Sequence, residues 1–225
     1  VFEPRALDEL FPGWETMGDA GPPIQTKVSS DHFLFLANDT QYETLPEALL
    51  PPETHNEGNY IISLGKLTRW LGEQAEELGV DIFPGFAASE ILHSPDGGVL
   101  GVATRDMGID KDGTPKGSFA RGMELRARQT LFAEGARGSC SESVMKTFDL
   151  RADCQPQTYG LGVKEVWEVP DSANFSEGLV QHTLGWPLQQ DLMDETFGGS
   201  FLYHMKDGEK NLILIGMVVG LDYPN

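Results

Sequence analysis

The sequence predicts a mixed α/β protein, α/β in its first part and an antiparallel sheet in its last. Three observations predict it. An amphipathic helix over residues 63–78 ends at Gly79 and leads into the apolar run 80–83, the helix–glycine–strand step of an α/β layer. Ala88–His93 and residues 99–105 flank Pro95-Asp96-Gly97-Gly98, a turn sequence between two apolar runs. After Asp149 the texture changes to strand-like stretches separated by turns, at Gly160–Val169, 178–186, 199–204 and 212–219.

Taken in order, residues 3–18 place Leu7, Leu10, Phe11, Trp14 and Met17 at helical intervals, making one apolar face. Pro4 suits a first helical turn. Pro12 does not suit an interior, so a kink or two short helices are expected. The face has two readings: a core contact, or an interfacial helix that dips Phe11 and Trp14 into lipid. Residues 19–57 are rich in Pro, Gly, Asp and Thr and predict an irregular excursion with one strand at 32–36. Residues 60–62 form a short strand or turn. Ser63 then caps the helix, whose expected core face is Leu64, Leu67, Leu71, Ala75 and Leu78. Residues 125–133 predict a strand and 139–148 a helix, and a domain boundary falls near residue 150.

Composition narrows the function. The net charge is −19, and Lys and Arg form no cluster, which excludes a phosphate-binding surface and so a nucleic-acid partner. It also disfavours electrostatic docking on anionic lipid. The acid is uneven: residues 1–57 carry eleven Asp or Glu against two bases, Arg5 and Lys27. No stretch approaches the roughly 20 apolar residues of a membrane-spanning helix. Cys140 and Cys154 have no metal-ligand spacing and are expected to be reduced. The loop Asp110-Lys111-Asp112-Gly113 is a hairpin turn and not a calcium loop, since Gly108 and Phe119 stand where acids are needed.

Two patterns bear on chemistry. In residues 130–139 a strand ends in Glu134 and Gly135, then a helix starts. Glycine lets a cofactor approach the backbone, and free N–H groups at a helix start attract an anion. A plain strand–helix turn fits the same residues. Glu134 has the chemistry of a general base, but nothing in the sequence pairs with it. Further on, Gly198 and Gly199 precede a strand and could offer backbone N–H groups to a carbonyl ligand, or could mark a hairpin bend. His182 and His204 are read as hydrogen-bonded sheet residues. No residue is assigned a catalytic role, and no Gly-x-Gly-x-x-Gly or Walker loop occurs.

The chain also resembles a known family. The runs that carry the resemblance are Gly58-Asn59-Tyr60-Ile61, Trp70-Leu71-Gly72-Glu73-Gln74-Ala75-Glu76, Phe132-Ala133-Glu134-Gly135 and Phe148-Asp149-Leu150-Arg151-Ala152. They continue in Gln155-Pro156-Gln157-Thr158-Tyr159-Gly160, His182-Thr183-Leu184-Gly185-Trp186-Pro187-Leu188, Gly198-Gly199-Ser200-Phe201-Leu202-Tyr203-His204 and Gly220-Leu221-Asp222-Tyr223. These resemble electron transfer flavoprotein–ubiquinone oxidoreductase. The resemblance implies a monotopic membrane enzyme with one FAD and one 4Fe-4S cluster, passing electrons from reduced electron transfer flavoprotein to ubiquinone. It places such a protein on the bacterial cytoplasmic membrane or the mitochondrial inner membrane.

On that resemblance, residues 1–57 are a membrane-proximal part of the quinone domain. Residues 58–150 are part of an FAD-binding domain of the hydroxylase-like two-dinucleotide type, and residues 151–225 part of an antiparallel ubiquinone-binding domain. Gly198 and Gly199 match the glycines that meet the quinone. Gly135 and Ser63 match positions beside FAD, although some relatives carry Arg at the position of Ser63. The resemblance also favours the lipid-facing reading of residues 3–18. The flavin pyrophosphate loop and the cluster cysteines are missing. With Val1 at one end and Asn225 at the other, the chain is expected to be an internal piece of the enzyme, inactive alone. A FixC-type or geranylgeranyl-reductase-like flavoprotein, and a non-catalytic quinone-binding module, are the alternatives.

Overall fold

The structure is a computed structural model that describes residues 1–171, 174–189 and 195–222. The chain forms two compact units, Val1–Val80 together with Gln157–Asn225, and Asp81–Pro156. Residues 58–80 therefore belong with the late strands, whereas the sequence grouped them with 81–150.

The first unit opens with α1 (Arg5–Leu10), β1 (Thr26–Lys27), β2 (Ser30–Leu36), β3 (Tyr42–Thr44), β4 (Tyr60–Ile61) and α2 (Leu64–Glu77). The second holds β5 (Ala88–His93), β6 (Val99–Thr104), β7 (Met107–Ile109), β8 (Pro115–Ala120), β9 (Glu124–Arg126) and α3 (Ser139–Thr147). The chain returns to the first unit with β10 (Gly160–Val169), β11 (Leu179–Gly185), β12 (Gly198–Asp207) and β13 (Lys210–Gly220).

A six-stranded sheet in the order β10-β13-β12-β11-β2-β3 dominates the first unit. Its neighbours are antiparallel except β11 and β2, which run parallel. The expected antiparallel sheet is thus a mixed one, and the strand from the irregular excursion is part of it. One face buries Val180 and Met205 against Ile61, with Val28, Tyr203, Leu212 and Leu214 around them. At the other end β10 is solvent-exposed along nearly its whole length, and Leu161, Val163, Trp167, Ile215 and Met217 lie open.

A second core joins the N-terminal segment to α2. Leu7, Trp14, Tyr60, Leu67 and Trp70 are buried together, with Phe2, Phe11, Ile24, Ile62 and Leu71 against them. Each such side chain contributes roughly 1.5–3 kcal/mol on burial. Pro12 has the expected effect: α1 stops at Leu10, and a short 3-10 turn, Trp14–Thr16, follows Gly13 at φ +81°. The lipid-dipping reading of Trp14 is corrected here. Trp14 is 5% exposed and its Nε1–H donates to Asp8 Oδ1 at 2.7 Å. The Tyr60 hydroxyl donates to Glu15, and that bond, with burial, pushes the phenol up to about 12. Asp8 and Glu15 of this segment thus hold Trp14 and Tyr60 in a protein core.

The second unit has a three-stranded sheet, β5-β6-β9, and the hairpin β7-β8 turning at 110–113 as expected. Two expected strands do not form. Residues 80–83 are irregular, with Val80, Ile82 and Phe83 exposed, because no strand among the described residues runs beside them. Of 125–133 only the first two residues fall in β9, and Leu131 points to solvent. The face of α2 is also rotated: Leu67 and Trp70 are buried, whereas Leu64 and Leu78 are exposed.

Candidate functional site

Gly198 and Gly199 open β12, between β11 and β13. Neither has a positive φ. What they supply is room. A Cβ on Gly199 would lie 2.0 Å from the Thr183 carbonyl oxygen, and one on Gly198 2.5 Å from the Val218 carbonyl oxygen. Real Cβ atoms do not approach backbone so closely, so the pair lets three strands crowd together. The neighbouring hydroxyls tie the crowded strands: Thr183 Oγ1 and Ser200 Oγ share a hydrogen bond of 2.6 Å, and Ser200 N–H donates to Thr183 Oγ1 at 3.2 Å.

Ladder register places a line of side chains on one face beside this pair. Leu184 lies next to Gly199, its Cδ2 3.4 Å from where a Cβ would stand. Phe33, His182 and Phe201 come next, then Asp31, Val180 and Tyr203. His182 stacks on Phe33 with ring centroids 5.9 Å apart, and Tyr203 stacks on Phe201 at 4.9 Å. His182 Nε2 and the Tyr203 hydroxyl share a 2.7 Å hydrogen bond. Burial pushes the His182 imidazole below its ordinary value, against the pull of Asp31. Burial, then Asp31, pushes the Tyr203 phenol up to about 12.

Asp31 and Phe33 line a cleft of about 490 Å³ with Val28, Leu45, Leu50 and Asn56. Asp31 Oδ2 accepts from Asn56 N–H at 2.8 Å and from Asn56 Nδ2 at 3.1 Å. His204 has a structural role: it is buried, its Nδ1 accepts from Ser176 N–H at 2.9 Å, and Phe175 stacks on its ring. The sequence identified His182 as a bonded sheet residue, which it is. It missed Asp31, Phe33 and Tyr203, since only the pairing of β2 with β11 brings them together.

Ser63 sits at the N-cap of α2, but its side chain makes no capping bond. In the second unit, Gly135 has φ +75° with open space where a Cβ would stand. The helix start beyond it is not free for an anion. Glu134 curls over it, accepting from Ser141 N–H and Oγ at 2.6 Å each and from Cys140 N–H at 3.3 Å. Gly138 permits this, since its Cβ would stand 2.2 Å from that of Glu134.

The hydrogen bonds from the Ser141 side chain and backbone hold the Glu134 carboxyl below its ordinary 4.5. A lowered carboxyl pKa contributes stability above the unfolded value and loses it as pH falls through the folded one. Glu134→Gln is therefore expected to lower the urea midpoint of the second unit at pH 7, with a difference that shrinks as the pH falls below 4.5. Chemical denaturation at both pH values measures it.

Among the described residues no group of three or more His, Cys, Asp or Glu could hold a metal ion. Cys140 is buried and Cys154 exposed, and both are free thiols. No helix among the described residues is long and apolar enough to cross a membrane.

Residues 159–225 match the family model "ETF-QO, ubiquinone-binding". The whole chain is 52% identical over 225 residues to the probable mitochondrial electron transfer flavoprotein-ubiquinone oxidoreductase of Schizosaccharomyces pombe, covering 33% of that protein. Against the mitochondrial electron transfer flavoprotein-ubiquinone oxidoreductase of Homo sapiens it is 50% identical over 224 residues, 99% of this chain and 34% of the relative. The Dictyostelium discoideum protein of the same name is 52% identical over all 225 residues, 35% of its length. The chain spans about a third of the length of the curated relatives it matches. Over that third it is a homologue of electron transfer flavoprotein-ubiquinone oxidoreductase, and its last 67 residues are homologous to the ubiquinone-binding part.

Proposed function

We propose that this homologous third serves a flavoprotein that accepts electrons from reduced electron transfer flavoprotein and reduces ubiquinone at a membrane surface. The observation that carries the reading is the ubiquinone-binding match over residues 159–225, set within about 50% identity along the entire chain. Gly198 and Gly199 are the proposed quinone contact. A quinone oxygen gains negative charge on reduction, and preorganised backbone donors stabilise such charge. Their supporting feature is the close backbone approach that the absence of a Cβ at both positions permits.

The wider assignments are proposed on the same homology: an FAD-binding domain of the hydroxylase-like two-dinucleotide type, a 4Fe-4S cluster, and a monotopic seat on the mitochondrial inner membrane or a bacterial cytoplasmic membrane. The residues described here do not build either prosthetic group. Glu134 fills the helix start that a pyrophosphate would use, Ser63 makes no cap bond, and two separate thiols cannot ligate four irons.

The test uses the full-length protein encoded by the gene, supplied with reduced electron transfer flavoprotein and a short-chain ubiquinone. The expected result is quinone-dependent reoxidation of the flavoprotein. Reoxidation at the same rate with and without quinone contradicts the reading.

A further inference from the structure

The face beside the glycine pair carries more than packing. Reducing a quinone to a quinol adds two electrons and two protons, so each carbonyl oxygen must gain an O–H bond. A protein that buries the quinone must also deliver those protons. His182 lies one ladder step from Leu184, which borders Gly199, so it is on the order of 7 Å along the strand from the proposed quinone contact. Tyr203 and Asp31 are the next step in the same direction, and Asp31 opens onto the cleft. Asp31 and Tyr203 stand on the strands either side of β11, Asp31 at the cleft and Tyr203 bonded to His182.

We propose that Tyr203 and His182 form a proton relay to the quinone, filled from the cleft at Asp31. The relay rests on the quinone-reductase reading above. His182 Nε2 is bonded to the Tyr203 hydroxyl, and Nδ1 has no hydrogen-bond partner among the described residues. A neutral imidazole has one donor and one acceptor nitrogen. With the phenol donating to Nε2, the ring proton sits on Nδ1, the nitrogen left for a ligand. In the step, the Nδ1–H bond breaks and an O–H bond forms on the reduced quinone oxygen. The Tyr203 proton passes to Nε2, and solvent in the cleft, gathered by the Asp31 carboxylate, returns one to Tyr203. The two electrons come from reduced electron transfer flavoprotein. Burial pushes the imidazole below its ordinary value, toward the neutral form that the relay uses. Asp31 of β2 faces it with a charge, and Tyr203 of β12 with its hydroxyl.

The test compares wild-type, His182→Gln and Tyr203→Phe full-length proteins with two acceptors, a short-chain ubiquinone and ferricenium, which takes up no proton. A positioned proton donor contributes about 10²–10⁴-fold. His182→Gln is therefore expected to slow quinone reduction by about 10²-fold while sparing ferricenium. Its residual rate should fall as pH rises, because external acids then supply the proton, and added imidazole should restore part of it. Tyr203→Phe keeps the ring on Phe201 and removes only the hydroxyl, so it tests the relay should the histidine variant fail to fold. It is expected to slow quinone alone, by a smaller factor. Variants that reduce quinone at the wild-type rate at every pH overturn the relay and leave the quinone-reductase reading standing. Equal loss with both acceptors, with no change in pH profile and no rescue, also overturns it. A wild type that cannot reduce ubiquinone overturns the reading beneath it.

Discussion

Gly199→Val is expected to destabilise the six-stranded sheet and not merely to slow quinone reduction. The position tolerates no Cβ, because the atom would sit 2.0 Å from the carbonyl oxygen of Thr183. That obstacle is backbone in the middle of a ladder and cannot swing aside like a side-chain end. Thr183 is itself tied to Ser200 by hydroxyl and amide. Strands β11 and β12 must part to admit the new side chain, and their shared bonds go with them. Overpacking of this kind costs about 1–3 kcal/mol and occasionally more, against a total stability of about 5–15 kcal/mol for an ordinary domain.

Gly65 is the control. It lies in α2, where a Cβ meets nothing within 4 Å. Gly65→Ala should stabilise by roughly 0.5–1 kcal/mol, since alanine loses less freedom in a helix. Urea midpoints of the two variants and wild type decide the matter, and a Gly199→Val midpoint equal to wild type would show that the strands are not so close. One consequence bears on function. Lost quinone reduction in a Gly199 variant cannot by itself identify a quinone contact, because the fold is lost by the same collision. The His182 and Tyr203 variants, which leave the backbone alone, are the sharper probes.

The contrast between these residues shows what the sequence carries. Strands β10 to β13 and helices α2 and α3 were legible to within a few residues, because alternation and helical spacing are local signals. The strand expected at 80–83 was not realised, since an apolar run describes a strand only when another lies beside it. Residues 127–133 failed in the same way. The glycine pair was legible as a place of close backbone approach, but what approaches in the structure is another strand. Glu134 was legible as an acid beside a helix start, though not as the acceptor for the N–H of Ser141 within that helix. Asp31 and Phe33 were out of reach. Their neighbours on β11 lie some 150 residues away, and nothing in a strand's own residues names its partner.

The N-terminal segment gives the second large effect, with Trp70→Ala. Sequence periodicity left two readings for residues 3–18, a core contact or a lipid contact. The structure places Leu7 and Trp14 in one core with Trp70. Trp70 is the hinge of that core. Its ring meets Phe11 edge to face at 4.8 Å, and its Nε1–H donates to the Ala20 carbonyl at 3.1 Å. Truncating a buried tryptophan costs about 3–5 kcal/mol, and here the loss falls on one short segment. α1 has only six residues, too few to persist without its packing on α2. Trp70→Ala should therefore release residues 2–24 before the sheet unfolds. Limited proteolysis should cut near Gly13 in the variant and not in wild type, while the urea midpoint of the sheet moves less. Anionic vesicles offer a further arm. In wild type, Trp14 stays bonded to Asp8 and its fluorescence should not shift on adding vesicles. A shift in wild type would mean that the segment leaves its core for lipid, and that the aromatic face serves the membrane after all.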